Sequence, residues 1–177
     1  MNDFLQLCEK RQSTRSFSDK PVEHEKLVKC IEAARLTPSA CNSQPWSFVV
    51  VEDKNMLPKV AETTMQLGAN AYMAGAKAFI VILEEHAVLM PGVRKIFDSQ
   101  YFAKNDLGAV AMTICYAAEA QGLGTCILGL FDREALCNLL DIPIEKQFAV
   151  VIGVGYPADD KVRPKARKPL EEIVRFV

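Results

Sequence analysis

Two arginines and a hydroxyl fall within five residues at Arg11, Ser13 and Arg15. Guanidinium groups present planar forks that match phosphate oxygens, so this spacing suits an oxyanion held against an extended chain. A solvated loop with cations at a helix C-terminus, where the helix dipole favours them, accounts for the same residues equally well. A second cluster places Arg163, Lys165, Arg167 and Lys168 within six residues, kept extended by Pro164 and Pro169. Lys165 and Arg167 project to one side of an extended chain. A solvated tail is an equal reading of this cluster taken alone. Together the two clusters can clamp one phosphate. Each charge-assisted bond contributes roughly 1.5–3 kcal/mol, against an association cost of at least several kcal/mol. A phosphate alone therefore binds weakly, and a large flat apolar group has to supply the rest.

Residues 38–46 are polar and turn-rich, and they lie directly between an amphipathic helix pattern and an apolar run. Pro38 and Pro45 fix the backbone at both ends, and Ser39, Asn42, Ser43 and Gln44 supply hydrogen-bonding groups. Loops of this kind carry function more often than packing, although a plain helix-to-strand connector has the same look. Residues 125–129 read as a strand exit ending in Gly129, where the backbone can approach a ligand closely. Cys41 is the one tempting nucleophile. With two histidines in the chain and no motif around it, a spectator thiol is the simpler reading. The cysteine and histidine spacings match no zinc pattern, so no metal site is expected.

The elements that must position these groups follow from periodicity. Phe4, Leu7 and Cys8 suggest a short first helix capped by Asp3. Leu27, Ile31 and Ala34 place a second helix at 23–36, ended by Pro38. Residues 47–51 read as a strand buried on both faces. A helix is expected over 53–67 with Pro58 in its first turn, and a buried strand over 78–83. Residues 85–104 have mixed character and read as a lid or an irregular excursion. The longest helical pattern runs over 105–121, ended by Gly122, with small residues that permit close packing at a subunit interface. A strand at 124–129, a helix from an Asp132 cap to Leu140, and a strand at 148–154 complete the pattern. Residues 173–177 are again strand-like. This predicts an α+β arrangement with a mixed sheet flanked by helices.

Composition narrows the class. The chain has 177 residues, half of them hydrophobic and 24% charged, which is enough for a sizeable core and unlike a disordered or membrane-spanning chain. A net charge of −1 and a pI near 6.1 give no global attraction to nucleic acid or an anionic membrane. Six scattered cysteines without a CxxC pair, and an opening at Met1, Asn2 and Asp3 without signal character, read as reduced thiols in a cytoplasmic protein.

Taken in order, four pieces resemble the nitroreductase family of FMN-dependent oxidoreductases. They are residues 11–15 with 33–46, residues 122–129, residues 164–167, and residues 169–174. The resemblance implies one domain over residues 1–177, a nitroreductase-like α+β fold, and an intertwined homodimer with FMN at the subunit interface. It implies that Arg11, Gln12 and Ser13 contact the FMN phosphate and ribityl chain, that Arg15 lies near the pyrimidine edge and tunes the flavin, and that Lys165 and Arg167 close on the phosphate. Pro38, Ser39, Ala40, Asn42 and Gln44 are implied to come from the partner subunit. Ile127, Leu128 and Gly129 are implied to line the flavin N5 edge, Asn70 to make a polar contact, and residues 161–177 to reach the partner.

The implied reaction is ping-pong hydride transfer from NADH or NADPH, through FMN, to a nitroaromatic, quinone or flavin, with no protein acid or base required. A flavin-destroying, dehalogenating, or non-catalytic carrier or sensor role stays open, as does a domain without cofactor. Cys41 departs from the small residue usual at its place.

Overall fold

The central strand of the sheet is almost wholly apolar, and its alternation sets the layers. In the structure, a computed structural model that describes residues 4–177, β2 (Ala78–Glu84) lies between β1 (Trp46–Val51) and β4 (Gln147–Gly155), and β3 (Gly124–Leu128) closes the far edge. The order is β1-β2-β4-β3. All three pairings are antiparallel. The one parallel pairing among the described residues is an isolated bridge between Ser13 and Thr125, so the mixed character expected of the sheet narrows to that bridge. The Asp3 cap and the opening residues read for a signal lie outside the described residues.

Successive side chains of a strand point to opposite faces. Ile80, Ile82, Ile152 and Val154 accordingly meet α2 (His24–Arg35) and α5 (Ala103–Glu119) on one face. Phe79, Val81, Leu83 and Val151 meet α3 (Leu57–Thr63) and α6 (Arg133–Leu140) on the other. Phe79, Ile80 and Ile82 are fully buried, and each such side chain contributes roughly 1.5–3 kcal/mol. The apolar run of β1 meets both clusters too. As an edge strand, however, it buries only Val51, short of the burial on both faces expected for it.

Local chemistry sets the helix ends. Asp132 caps α6 by accepting from the Ala135 N–H at 3.0 Å. Gly122 adopts φ +76° just past α5, and the Leu123 N–H returns to the Ala118 carbonyl at 2.9 Å. The helix expected over 53–67 is shorter because side chains compete with the ladder. Asp53 Oδ1 accepts from the Asn55 and Met56 N–H groups, which makes a turn. The Thr63 and Thr64 hydroxyls donate back to the Val60 and Ala61 carbonyls at the other end.

Between β2 and α5 the chain makes an excursion with one short helix, α4 (Pro91–Arg94). Gln100 ties it down: its Oε1 accepts from the Ala87 N–H at 2.6 Å, and its Nε2 donates to Glu84 and to the Glu85 carbonyl. Beyond β4, residues 157–177 are exposed and carry one 3₁₀ turn, Leu170–Glu172. The strand expected at 173–177 does not form, because among the described residues no sheet edge pairs with it.

Candidate functional site

Helix α1 (Phe4–Lys10) ends as the Arg11 N–H donates to the Leu7 carbonyl at 2.8 Å, and the chain then runs extended along β3. The Thr14 N–H donates to the Thr125 carbonyl at 2.9 Å, and the Ala158 N–H to the Ser16 carbonyl at 3.0 Å. The strip is set close against β3 at Gly124, where a Cβ would lie 2.2 Å from Thr14 Oγ1. Thr14 faces inward and is buried. Its neighbours differ in exposure: Arg11, Gln12 and Ser13 are half-buried, and Arg15 and Ser16 are exposed.

Arg11 is half-buried. Its Nη2 donates to Cys115 Sγ at 3.4 Å, while its Nε is buried without a partner, as is the hydroxyl of Thr125, the residue that bridges to Ser13. Arg15 is exposed and lies 5.7 Å from the centre of the Tyr72 ring. The Tyr72 hydroxyl donates to Asn70 Oδ1 at 2.8 Å. Asn70 Nδ2 in turn donates to the Thr64 and Leu130 carbonyls at 3.0 and 3.3 Å. A continuous line therefore runs from Arg15 through Tyr72 and Asn70 to the exit of β3. At that exit Leu128 is buried and Gly129 exposed, which leaves backbone rather than the Leu128 side chain to face outward; Ile127 is half-buried.

The C-terminal tail reaches this same strip. Lys165 Nζ donates to the Glu9 carbonyl, and Arg163 Nη2 to the Ser13 carbonyl. Arg167 stays in the exposed tail and donates to the adjacent Ala166 carbonyl. Glu119, in the last turn of α5, sits within the field of Lys10, Arg11 and Lys165. Burial raises its carboxyl pKa, and those cations act against the rise.

The loop at 38–44 lies elsewhere. The Ala40 N–H donates to Asp106 Oδ2 at 3.1 Å, at the start of α5, whereas Arg11 meets Cys115 nine residues further on. At 1.5 Å rise per residue that is about 14 Å along the helix. The loop also leads into β1, the sheet edge opposite β3. One chain thus unites Arg11, Ser13, Arg15, Asn70, residues 127–129 and Lys165. It keeps Pro38, Ser39, Ala40, Asn42 and Gln44 apart from them. The side chain of Gln12 is turned to the tail. Trp46, at the end of the loop, is partly buried against the α2–α5 cluster. Among the described residues no group of three His, Cys, Asp or Glu side chains is placed to hold a metal ion. No helix among them is long and apolar enough to cross a membrane.

The model of the family described as "Nitroreductase family" matches residues 8–156, the span that holds both the strip and the sheet. The chain belongs to the nitroreductase family. A protein of Archaeoglobus fulgidus, provisionally named an NADH dehydrogenase/NAD(P)H nitroreductase, is 34% identical over 91% of this chain and 89% of its own. The crystal structure of a nitroreductase family protein from Streptococcus pneumoniae superposes with a TM-score of 0.82 at 28% identity, covering 99% of this chain and all of that one. A provisionally named nitroreductase from Desulfovibrio desulfuricans, solved in complex with FMN, does so at 0.76 and 27% identity, covering 98% of this chain and 96% of that one.

Within this nitroreductase chain the 38–44 loop is strained. Cys41, Asn42 and Gln44 have φ of 54°, 51° and 50°, in the left-handed region that favours glycine. Besides the Ala40 bond to Asp106, the Gln44 N–H donates to Ser39 Oγ at 2.9 Å and the Val88 N–H to Ser43 Oγ at 2.6 Å. Cys41 is exposed. A non-glycine residue in this region costs about 1–2 kcal/mol, and the extra freedom of an unfolded glycine returns about 0.5–1 kcal/mol of that. Cys41→Gly is therefore expected to raise stability by about 0.5–1 kcal/mol. An unchanged or lower denaturation midpoint would contradict the strain argument. The sequence reading missed Tyr72 and the Thr125 hydroxyl as site residues. Tyr72 stands two positions after Asn70, but only the 3₁₀ turn Ala71–Gly75 brings it under Arg15.

Proposed function

We propose that the chain is an FMN-dependent NAD(P)H oxidoreductase, carried chiefly by the convergence of Arg11, Ser13, Arg15 and Lys165 along one strip. The buried, unpartnered Arg11 Nε and Thr125 hydroxyl fit a phosphate-bearing ligand: both can donate and have no acceptor of their own, and Thr125 bridges to Ser13. FMN, when bound, supplies the redox chemistry, taking hydride from NADH or NADPH and delivering it in a second, ping-pong half-reaction to a nitroaromatic, quinone or free flavin.

The protein's part is to hold and to tune. Arg11, Ser13 and Lys165 grip the phosphate, and Arg167 reaches it from the tail. Arg15, poised over Tyr72, supplies positive charge at the pyrimidine edge. Asn70 and the backbone at Ile127, Leu128 and Gly129 border the reactive edge. The offset of about 14 Å along α5 between the residues that Arg11 and Ala40 contact supports a homodimer in which a second copy brings Pro38, Ser39, Ala40, Asn42 and Gln44. Exposed Gly108 and Ala109 on α5 allow the close approach that such an interface needs. Residues 1–177 act as one FMN-binding unit, in which residues 85–104 cover the acceptor position and the exposed apolar end at Leu170, Ile173 and Phe176 reaches the partner. Free thiols at all six cysteines are in keeping with a cytoplasmic setting.

The test is spectroscopic. Protein reconstituted with FMN is mixed anaerobically with NADH or NADPH. The flavin band near about 450 nm is expected to bleach, and to return on adding a nitroaromatic or a quinone. Arg15→Ala is expected to bleach more slowly. A band that persists with both donors overturns the oxidoreductase reading in favour of a carrier. Halide release from a halophenol, or loss of the flavin itself, would redirect it to those chemistries.

A further inference from the structure

Gln12 spends both ends of its carboxamide on the tail. Its Nε2 donates to the Lys161 carbonyl at 2.8 Å. Its Oε1 accepts from the Arg163 N–H at 3.2 Å and from Arg163 Nε at 3.1 Å. A carbonyl and an N–H two residues apart on one side of an extended chain are what a neighbouring strand's peptide group would pair with. The carboxamide takes the place of that peptide. Only a side chain with both a donor and an acceptor can do so. The Arg163 guanidinium closes the contact on the Ser13 carbonyl, and Lys165 follows two residues on at the Glu9 carbonyl. Outside these contacts the tail has little hold. Residues 157–168 are exposed and form no helix or paired strand beyond the bridge of Pro157 to Phe17. The segment crosses between two clefts of about 380 and 270 Å³, both bordered by Gln12 and Asp159.

We propose that Gln12 is a positioning residue: its carboxamide latches residues 161–163 to the Arg11–Arg15 strip and thereby holds Lys165 within reach of the ligand phosphate. This rests on the FMN reading above. Both ends of the Gln12 carboxamide are taken up by the tail, so it acts through the tail. Without the latch, Lys165 belongs to an untethered segment. Its effective concentration at the strip falls, and the ordering of the tail must then be met from binding free energy.

The experiment measures FMN and riboflavin affinity by flavin fluorescence for the wild-type protein, Gln12→Met, Lys165→Ala and the double variant. Trypsin cleavage after Lys161 and Lys165 is followed in the cofactor-free proteins. Methionine matches glutamine in length and lacks both hydrogen-bonding ends. Gln12→Met is expected to weaken FMN about tenfold, to leave riboflavin, which has no phosphate, unchanged, and to speed trypsin cleavage. In the Lys165→Ala background its effect on FMN is expected to shrink below about twofold, because the two residues act as one unit. Additive effects, an equal loss of riboflavin, or an unchanged cleavage rate each overturn the latch. Arg163→Lys keeps the charge, lies on the exposed tail and loses the Nε contact. It is expected to speed cleavage and weaken FMN in the same direction, and stands in should Gln12→Met not fold. A wild-type protein that binds no FMN defeats the cofactor reading instead, while faster cleavage of Gln12→Met would still support the tether.

Discussion

Replacing Arg11 by methionine is expected to move stability and cofactor affinity in opposite directions. The Arg11 Nε is buried without a partner, and its Nη2 has only the weak acceptor Cys115 Sγ. A buried polar group left unsatisfied costs about 1–3 kcal/mol. Methionine fills similar space without that cost. Against it, the loss of Arg11 removes one cation that opposes the raised carboxyl pKa of Glu119. That interaction is spread over three cations and is partly screened, so it is worth less than about 1 kcal/mol. The donor term wins. The cofactor-free variant should be about 1 kcal/mol more stable, as read from its denaturation midpoint. FMN affinity should fall by about 2 kcal/mol, some 30-fold, because a charge-assisted bond to phosphate is lost. A variant that is less stable and binds FMN normally would show that Arg11 serves the fold and not the ligand.

Gly124→Ala should produce the second large effect. Its Cβ would lie 2.2 Å from Thr14 Oγ1 and 2.9 Å from Thr14 Cβ and Cγ2. Thr14 is buried, and its N–H is tied to the Thr125 carbonyl, so it cannot swing clear without moving the strip. Overpacking of this kind costs about 1–3 kcal/mol. Arg11, Ser13 and Arg15 ride on the displaced strip, so FMN affinity should fall with stability. Thr14→Gly in the same chain removes every atom named in the clash and should recover at least half of both losses. If the double variant is no better than Gly124→Ala alone, the clash is not the cause.

These two sites show how differently parts of the molecule can be read. The strands were legible because β2 and β4 are continuous apolar runs, and a run of that length bounded by turns has few alternatives. Helix α5 was legible from its 3.6-residue period, and α6 from its Asp132 cap. Helix α3 was overextended because Asp53, Thr63 and Thr64 engage the backbone locally, which periodicity does not register. The burial of β1 was overestimated because a run of valines does not reveal that it lies at an edge.

For the candidate site, the residue types at Arg11, Ser13, Arg15, Lys165 and Arg167 already suit an oxyanion, since charge and donor geometry belong to the side chains themselves, although a solvated loop and tail fit them as well. Partnership had to come from the tertiary structure. Folding drew residues 161–165 onto the strip through Gln12, a residue that in the sequence looks like one more polar position. It brought Tyr72 beneath Arg15 and left the Thr125 hydroxyl buried without an acceptor. It also placed the Pro38–Gln44 loop about 14 Å away along α5. Residue types alone say which groups can hold an anion. Only the fold decided which of them meet within one chain, because that depends on contacts more than a hundred residues apart, such as Gln12 with Lys161.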